Sequence, residues 1–404
     1  LSSKSANSIY FPSLNALRFM AAILVVITHI ELIKHHLKYG RHFWSFYQGS
    51  GWETPIGSVI NNKAHWISPF IAAAGPLGVV FFFVLSGFLI SYLLLAEKEK
   101  TGSISLKSFY MRRILRIWPL YFLILLLGFF ILPNFGFFYI PFQSESLSNH
   151  FWPNLLLYIF LVPNLAQAMY LPVPHIGQSW SIGVEEQFYI LWPLLFKLRK
   201  NILNTMIYAF LFFVLIKVLF LSVDLDILSN STEEAVKQFL AATKVECMAL
   251  GALAAYALFK RKTKILKLIY SDLVFFSGLI SIPMLIYFTP AFVQDAQHLI
   301  MSISFMIIIL NLSTNKKYSR FLEKKVFSFL GKISYGIYMY HFVICTVVIK
   351  SFLILNIPYN SWSQALIYLL VISLTVLISW LSYDYLEKGF LRLKTTYQKV
   401  KSTS

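Results

Sequence analysis

Arg18 and His29 share one apolar stretch, Leu14-Asn-Ala-Leu-Arg-Phe-Met-Ala-Ala-Ile-Leu-Val-Val-Ile-Thr-His-Ile30. The stretch is long and apolar enough to cross a bilayer, yet it holds a permanent cation and a ring that titrates near neutral pH. An arginine at the centre of a membrane helix costs roughly 2.5–3.5 kcal/mol on insertion scales, which makes function the default reading. On a helix the eleven steps between the two residues turn through about 1100°, three turns and about 20°, so both side chains lie on one face about 16 Å apart. A guanidinium and an imidazole aligned through half a membrane predict a path for an anionic, reactive ligand.

Four further segments carry polar chemistry. In Tyr110-Met-Arg-Arg-Ile-Leu-Arg-Ile-Trp-Pro119 the residues Arg113 and Arg116 lie three apart and neighbour one another on a helix. Two guanidiniums there suit a phosphate-rich ligand, although alone they would read as a positive anchor. Gln178-Ser-Trp-Ser-Ile-Gly-Val-Glu-Glu-Gln-Phe-Tyr189 sets Glu185 beside Glu186 within a span. Two carboxylates there need partners. One is expected to face a cavity and hold or orient an imidazole, the alternative being an ion pair with Arg18 or Arg116. Phe81-Phe-Phe-Val-Leu-Ser-Gly-Phe88 places Ser86 and Gly87 mid-membrane, where small residues allow close helix approach or leave room for a ligand chain. Gly331-Lys-Ile-Ser-Tyr-Gly-Ile-Tyr-Met-Tyr-His341 puts Tyr338 and His341 on one face, for ligand contact or interhelical bonding alike.

The elements that must position these groups follow from composition. Of 404 residues, 58% are hydrophobic and only 13% charged, about half the usual charged share, and the mean hydropathy is +0.67. That excludes an ordinary soluble domain and predicts an all-α, polytopic membrane bundle. The net charge of +18 is better read as basic loops on the cytoplasmic side than as nucleic-acid binding. Two cysteines, both in apolar runs, argue against a disulfide framework, and no residue cluster calls for a metal. No cleavable signal pattern is visible, and a chain that begins at Leu1 is expected to have its natural start further upstream.

Ten apolar spans are expected, at Leu14–Ile33, Phe70–Ala96, Ile114–Leu132, Trp180–Phe196, Ile202–Leu221, Phe239–Phe259, Leu273–Phe288, Ala296–Leu312, Ile333–Leu355 and Gln364–Leu386. An eleventh apolar stretch, Phe151–Tyr170, contains Pro153, Asn154, Pro163 and Asn164. The basic loops Glu97–Arg116, Lys197–Lys200, Lys260–Lys267, Lys316–Lys325 and the tail from Lys388 all fall on the cytoplasmic side only if this stretch does not span. It is therefore expected to be re-entrant or broken and buried in protein. Asn134–Asn149 and Asp224–Glu234 then lie outside. The external loop Lys34–Pro69, with Lys34, Lys38, Arg41 and Lys63, is the misfit, and long loops obey the charge rule less strictly. No repeat is apparent. Residues 1–404 read as one membrane domain, with 387–404 as a short basic cytoplasmic tail.

Taken in order, five motifs resemble the integral-membrane acyltransferase-3 family of sugar O-acyltransferases, in a stand-alone membrane form. They are the Arg18-to-His29 helix, the Phe-Phe-x-x-Ser-Gly-Phe block ending at Phe88, Arg113-x-x-Arg116-Ile-x-Pro119, Ser179-Trp-Ser-Ile-x-Val-Glu185, and Ser334-Tyr-Gly-Ile-Tyr338-x-x-His341. The resemblance implies ten spans with both termini cytoplasmic, in a bacterial inner membrane. It implies transfer of an acyl group, usually acetyl, from cytoplasmic acyl-CoA to a hydroxyl of an extracytoplasmic glycan or lipid-linked sugar. Acyl-CoA is then a co-substrate, and no cofactor is permanently bound. By the same resemblance His29 is catalytic, Arg18, Arg113 and Arg116 handle the donor, and Glu185 is the motif carboxylate.

Two departures matter. Some relatives carry a C-terminal hydrolase-like domain; the stand-alone form expected here has none, so transfer is expected to be direct or to pass to a separate extracytoplasmic partner, and a homo-oligomer is equally open. The family often ends its last span with Glu-x-Pro, where this chain has Glu387-Lys-Gly389. The expected chemistry has CoA phosphates on Arg113 and Arg116 with help from Arg18, Ser86 beside the donor, and Tyr338 and His341 in the cavity wall. His29 acts as general base with Glu185 orienting its ring, or as an acyl carrier. The rival is a transporter or flippase for an anionic or acylated substrate, because buried charges and a broken segment are transporter features too.

Overall fold

A computed structural model describes residues 8–9, 11, 13–39, 68–222, 229–288, 297–358, 360–398 and 401–402. Helices α1 (Ser13–Tyr39), α2 (Ser68–Thr101) and α3 (Leu106–Leu126) come first, and α3 continues into a π-turn over Leu127–Ile131. Three short helices follow: α4 (Gln143–Asn149), α5 (Phe151–Ile159) and α6 (Pro163–Met169). Next are α7 (Trp180–Leu198), α8 (Ile202–Ser222), α9 (Asn230–Ala242) and α10 (Val245–Phe259). Then come α11 (Thr263–Ile269), α12 (Asp272–Phe288), α13 (Gln297–Thr314), α14 (Lys316–Ser319) and α15 (Lys325–Lys332). The last three are α16 (Ser334–Ile354), α17 (Ser361–Ser382) and α18 (Lys388–Lys394). Among the described residues the β structure is a two-residue parallel pairing of Ser8–Ile9 with Lys401–Ser402. The protein is an all-α polytopic membrane bundle.

Among the described residues, eight helical segments are long and apolar enough to cross a membrane. A ninth arises if α11 and α12, bent by 57° at their junction, form one span. This is short of the ten expected. The difference lies in α7, which has 19 residues, about 28 Å at helical rise, but carries Glu185, Glu186 and Lys197 and so is less apolar than a lipid-facing helix. The expected single span over Phe239–Phe259 is two helices, α9 and α10, parted at Thr243–Lys244. Most of the expected loop Lys34–Pro69 and much of Asp224–Glu234 fall outside the described residues.

Phe151–Tyr170 is broken, as its prolines predict: α5 stops at Ile159, Leu161 takes a positive φ of 62°, and α6 restarts at Pro163. Proline at the first helical position loses no hydrogen bond, which is why a new helix starts there. The expected burial holds for α6, which packs on α7 and α9. It fails for α5, whose Trp152 and Leu156 are exposed, as is Phe160 just after it.

The core forms around α2. Its most apolar window is 72% buried, against 17% for α8, so α2 is enclosed by neighbours while α8 lies at the rim. Helices α1 and α10 pack on α2, and α1 also packs on α15 and α16. The α2–α10 contact depends on glycine. A Cβ at Gly87 would stand 1.9 Å from Met248 O, and one at Gly251 would stand 2.0 Å from Val84 O. Each helix thus lays its backbone on the other, the close approach that small residues permit. That contact holds α2 in register, and Ser86, about 100° round the helix from Gly87, faces α7 instead.

Candidate active site

Five helices converge on one cavity: α1 contributes Arg18, α2 Ser86, α3 Arg113 and Arg116, α7 Glu185 and Tyr189, and α16 Tyr338. Side chains drawn from five separate sequence motifs therefore share one wall. Ser86 Oγ donates to Glu185 Oε1 at 2.9 Å, and Tyr189 OH donates to Glu185 Oε2 at 2.8 Å. Glu185 and Tyr189 are four apart on α7 and so share a face. The Arg113 guanidinium lies over the Tyr189 ring, 5.5 Å from its centroid, a cation–π contact that gains strength when buried. The buried Arg113 Nε has no hydrogen-bond partner. Among the described residues Arg18 makes no hydrogen bond or ion pair either, and it feels the charges of Arg113, Arg116 and Glu185.

The adjacent carboxylates divide their tasks. Glu185 faces the cavity, whereas Glu186 is buried against α3 and accepts from Trp118 Nε1 at 3.3 Å. This matches the expectation that only one of the two would face a cavity. Tyr338 is anchored between Ser181 Oγ, 2.6 Å from its hydroxyl, and Gln178 O at 3.1 Å.

His29 meets His341, not Glu185. The two carboxylate oxygens of Glu185 are bound to Ser86 and Tyr189, so the expected Glu185–His29 pairing is corrected: the ring that positions His29 is His341. His341 Nε2 lies 2.8 Å from His29 Nδ1, and His341 Nδ1 lies 2.7 Å from Tyr338 O. The rings stack with centroids 4.9 Å apart, and Phe342 packs on His29 at 5.1 Å. These bonds fix the tautomers of a neutral pair. A carbonyl oxygen only accepts, so His341 carries its proton on Nδ1 and its Nε2 must accept from His29 Nδ1–H. His29 Nε2 is left with a bare lone pair, the form a general base requires.

His29 and His341 do not line the cavity themselves. Tyr338 is the element they share with it: its ring lines the cavity, and its carbonyl holds His341. Phe82 packs edge-on against that ring, with centroids 5.9 Å apart. Sequence reading missed Tyr189, although its place four residues after Glu185 was a readable signal. It also missed the role of Ser181. Elsewhere, Glu246, Cys247 and His298 form a buried cluster whose donor atoms are close enough to hold a metal ion. There Glu246 Oε1 already accepts from Lys217 Nζ at 2.6 Å and from His298 Nε2 at 3.0 Å, which reads as a compensated ion pair.

Cations on two helices, Arg18 on α1 and Arg113 with Arg116 on α3, and a histidine pair thus sit within a multi-pass helical frame. Residues 11–384 match the Acyl_transf_3 family, the acyltransferase domain, and the chain belongs to that family. Its relatives include the O-acetyltransferase OatA of Staphylococcus aureus (strain NCTC 8325 / PS 47), 28% identical over 406 residues that cover 94% of this chain and 58% of OatA. Another is SACOL0978 of Staphylococcus aureus (strain COL), provisionally named an O-acetyltransferase, 27% identical over 392 residues that cover 94% of this chain and 57% of that protein. The chain thus spans less than two thirds of the length of these curated relatives. No solved structure matches it.

Proposed function

We propose that this acyltransferase moves an acyl group, acetyl by analogy with the named relatives, from acyl-CoA to a hydroxyl of an extracytoplasmic glycan or lipid-linked sugar. The observation that carries the reading is the tautomer-fixed His29–His341 pair set one residue, Tyr338, away from a cavity walled by three arginines. The basic mouth of the cavity faces the cytoplasm in this reading, in a bacterial inner membrane with both termini inside. Phosphates of the donor bind Arg113, Arg116 and Arg18, whose charges favour an anion there. The pantetheine arm runs past Ser86 and Phe82 toward Tyr338.

His29 Nε2 takes the proton of the acceptor hydroxyl as its oxygen attacks the thioester carbonyl. The tetrahedral intermediate collapses with cleavage of the C–S bond, and the CoA thiolate leaves with the proton held by His29. During that step His29 is an imidazolium, and its Nδ1–H remains bonded to His341 Nε2. His341 is a positioning residue here, and Glu185 positions Arg113 through Tyr189. The experiment is donor kinetics on purified protein. Arg113→Ala combined with Arg116→Ala raises the donor KM by about tenfold or more, each lost charge-assisted contact being worth about 1.5–3 kcal/mol. An effect confined to the acceptor KM would contradict a CoA site, and substrate flux with no acyl-CoA consumed would contradict the enzyme.

A further inference from the structure

The C-terminal segment packs against the helix that carries most of the cavity's basic residues. Helix α18 packs along α3, the helix that carries Arg112, Arg113 and Arg116. Arg112 Nη1 donates to Tyr397 O at 2.7 Å, in the turn that follows α18. Further on, Lys401–Ser402 pairs with Ser8–Ile9, just ahead of the helix that carries Arg18. Residues 388–398 are thus tied to α3, and residues 401–402 to the approach to α1, as a strap.

Within that strap Lys394 is buried, 8% exposed, although lysine normally reaches water. It feels the charges of Arg116, Arg113, Arg18 and Arg112, all of its own sign. Nearby carboxylates are committed elsewhere. Glu97 pairs with Arg112 at 3.1 Å, Glu185 is bonded to Ser86 and Tyr189, and Glu387 accepts from Ser382 and faces Arg116. Among the described residues Lys394 makes no hydrogen bond or ion pair, Arg18 makes none, and Arg113 Nε has no partner. A purely structural lysine at this position would be bonded to a carbonyl or a carboxylate. An anion placed among Lys394, Arg18 and Arg113 would offset the cost of holding those cations out of water.

We propose that Lys394 binds the same phosphate-bearing ligand as Arg18 and Arg113, so that the C-terminal strap is the closing wall of the donor site. This rests on the reading of the cavity as an acyl-CoA site. It extends that site from the cavity-lining helices to a segment beyond residues 11–384, the range of the family match.

The test is calorimetric titration of coenzyme A into the purified full-length chain, with melting temperatures measured without ligand. Wild type binds coenzyme A. Lys394→Met weakens that binding about ten- to hundredfold, the equivalent of one charge-assisted contact, while its ligand-free melting temperature stays level or rises because a repelling charge is gone. Lys394→Arg keeps the charge and retains most of the affinity. If Lys394→Met binds coenzyme A like wild type while Arg113→Ala binds it weakly, the strap is not part of the site, yet the donor reading stands. The proposal also falls if Lys394→Arg loses as much affinity as Lys394→Met, or if Lys394→Met only melts earlier with affinity unchanged. If wild type binds no coenzyme A, or binds phosphatidylglycerol there without competition from coenzyme A, the donor reading fails and this proposal fails with it.

Discussion

At the scale of single residues, the account rests on which nitrogen of His29 is bare. A His341→Gln side chain can still accept from His29 Nδ1–H through its amide oxygen, whereas His341→Leu cannot. The glutamine variant should keep kcat within about tenfold of wild type, and the leucine variant should lose about 10²-fold or more with donor KM unchanged, the range expected for a mispositioned general base; equal losses in the two variants would count against tautomer control. Tyr189→Leu removes the ring beneath Arg113 and should raise donor KM about tenfold with little change in kcat, since a buried cation–π contact is worth about 2 kcal/mol. Steady-state kinetics in both substrates separate these outcomes. Much of this was legible. The eleven-residue step from Arg18 to His29 and the three-residue step from Tyr338 to His341 put the right side chains on the right faces. The partner of His29 was not legible, because it is set by how α1 meets α16, more than 300 positions away in sequence. Lys394 gave no signal beyond lying in a basic tail, since its burial depends on the fold of the whole strap.

At the scale of elements, two features distinguish positioning from spanning. Helix α7 has the length of a span but not its apolarity, because the face that carries Glu185 and Tyr189 lines a cavity and the one that carries Glu186 meets α3. Counting apolar residues therefore placed this helix from Trp180 to Phe196, two residues short of its end at Leu198, although it is less apolar than the other spans. The prolines of Phe151–Tyr170 announced the break between α5 and α6. They did not announce that α5 would expose Trp152 and Leu156, because burial depends on neighbours that periodicity does not name. Ser86-Gly87 allowed two readings, close approach and cavity lining, and the structure assigns one to each residue. From this a prediction follows for the α2–α10 contact. Gly251→Val would push a side chain into the Val84 carbonyl and force the helices apart, an overpacking cost of typically 1–3 kcal/mol or more. Its melting temperature should fall, and transfer should fall with it through displacement of Ser86; a variant as stable as wild type would show that the contact is less tight than the backbone distances imply.

At the scale of the whole molecule, the buried charges fall into two groups with different expected behaviour. The Lys217–Glu246–His298 cluster is compensated within itself and ties α8, α10 and α13 together. Lys217→Met leaves the Glu246 carboxylate buried without its ammonium partner and should destabilise the fold by about 3–5 kcal/mol, with donor KM unchanged in whatever fraction stays folded. A thermal-shift assay run alongside the kinetics distinguishes this from a role in donor binding. In the cavity, by contrast, Arg18 makes no hydrogen bond or ion pair among the described residues and Arg113 Nε has no hydrogen-bond partner, and in the proposed reading both take an anion. The helical bundle and the basic loops were readable from composition and charge, whereas the gathering of Arg18, Ser86, Arg113, Arg116 and Glu185 around one cavity required the packing itself. The most direct measurement is a single-turnover assay with purified protein, acetyl-CoA labelled in its acetyl group and envelope glycans as acceptor, comparing wild type with His29→Ala. Wild type should release CoA thiol and form a labelled ester in equal amounts, and His29→Ala should bind acetyl-CoA normally yet release and transfer none. Undiminished transfer by His29→Ala would contradict the account.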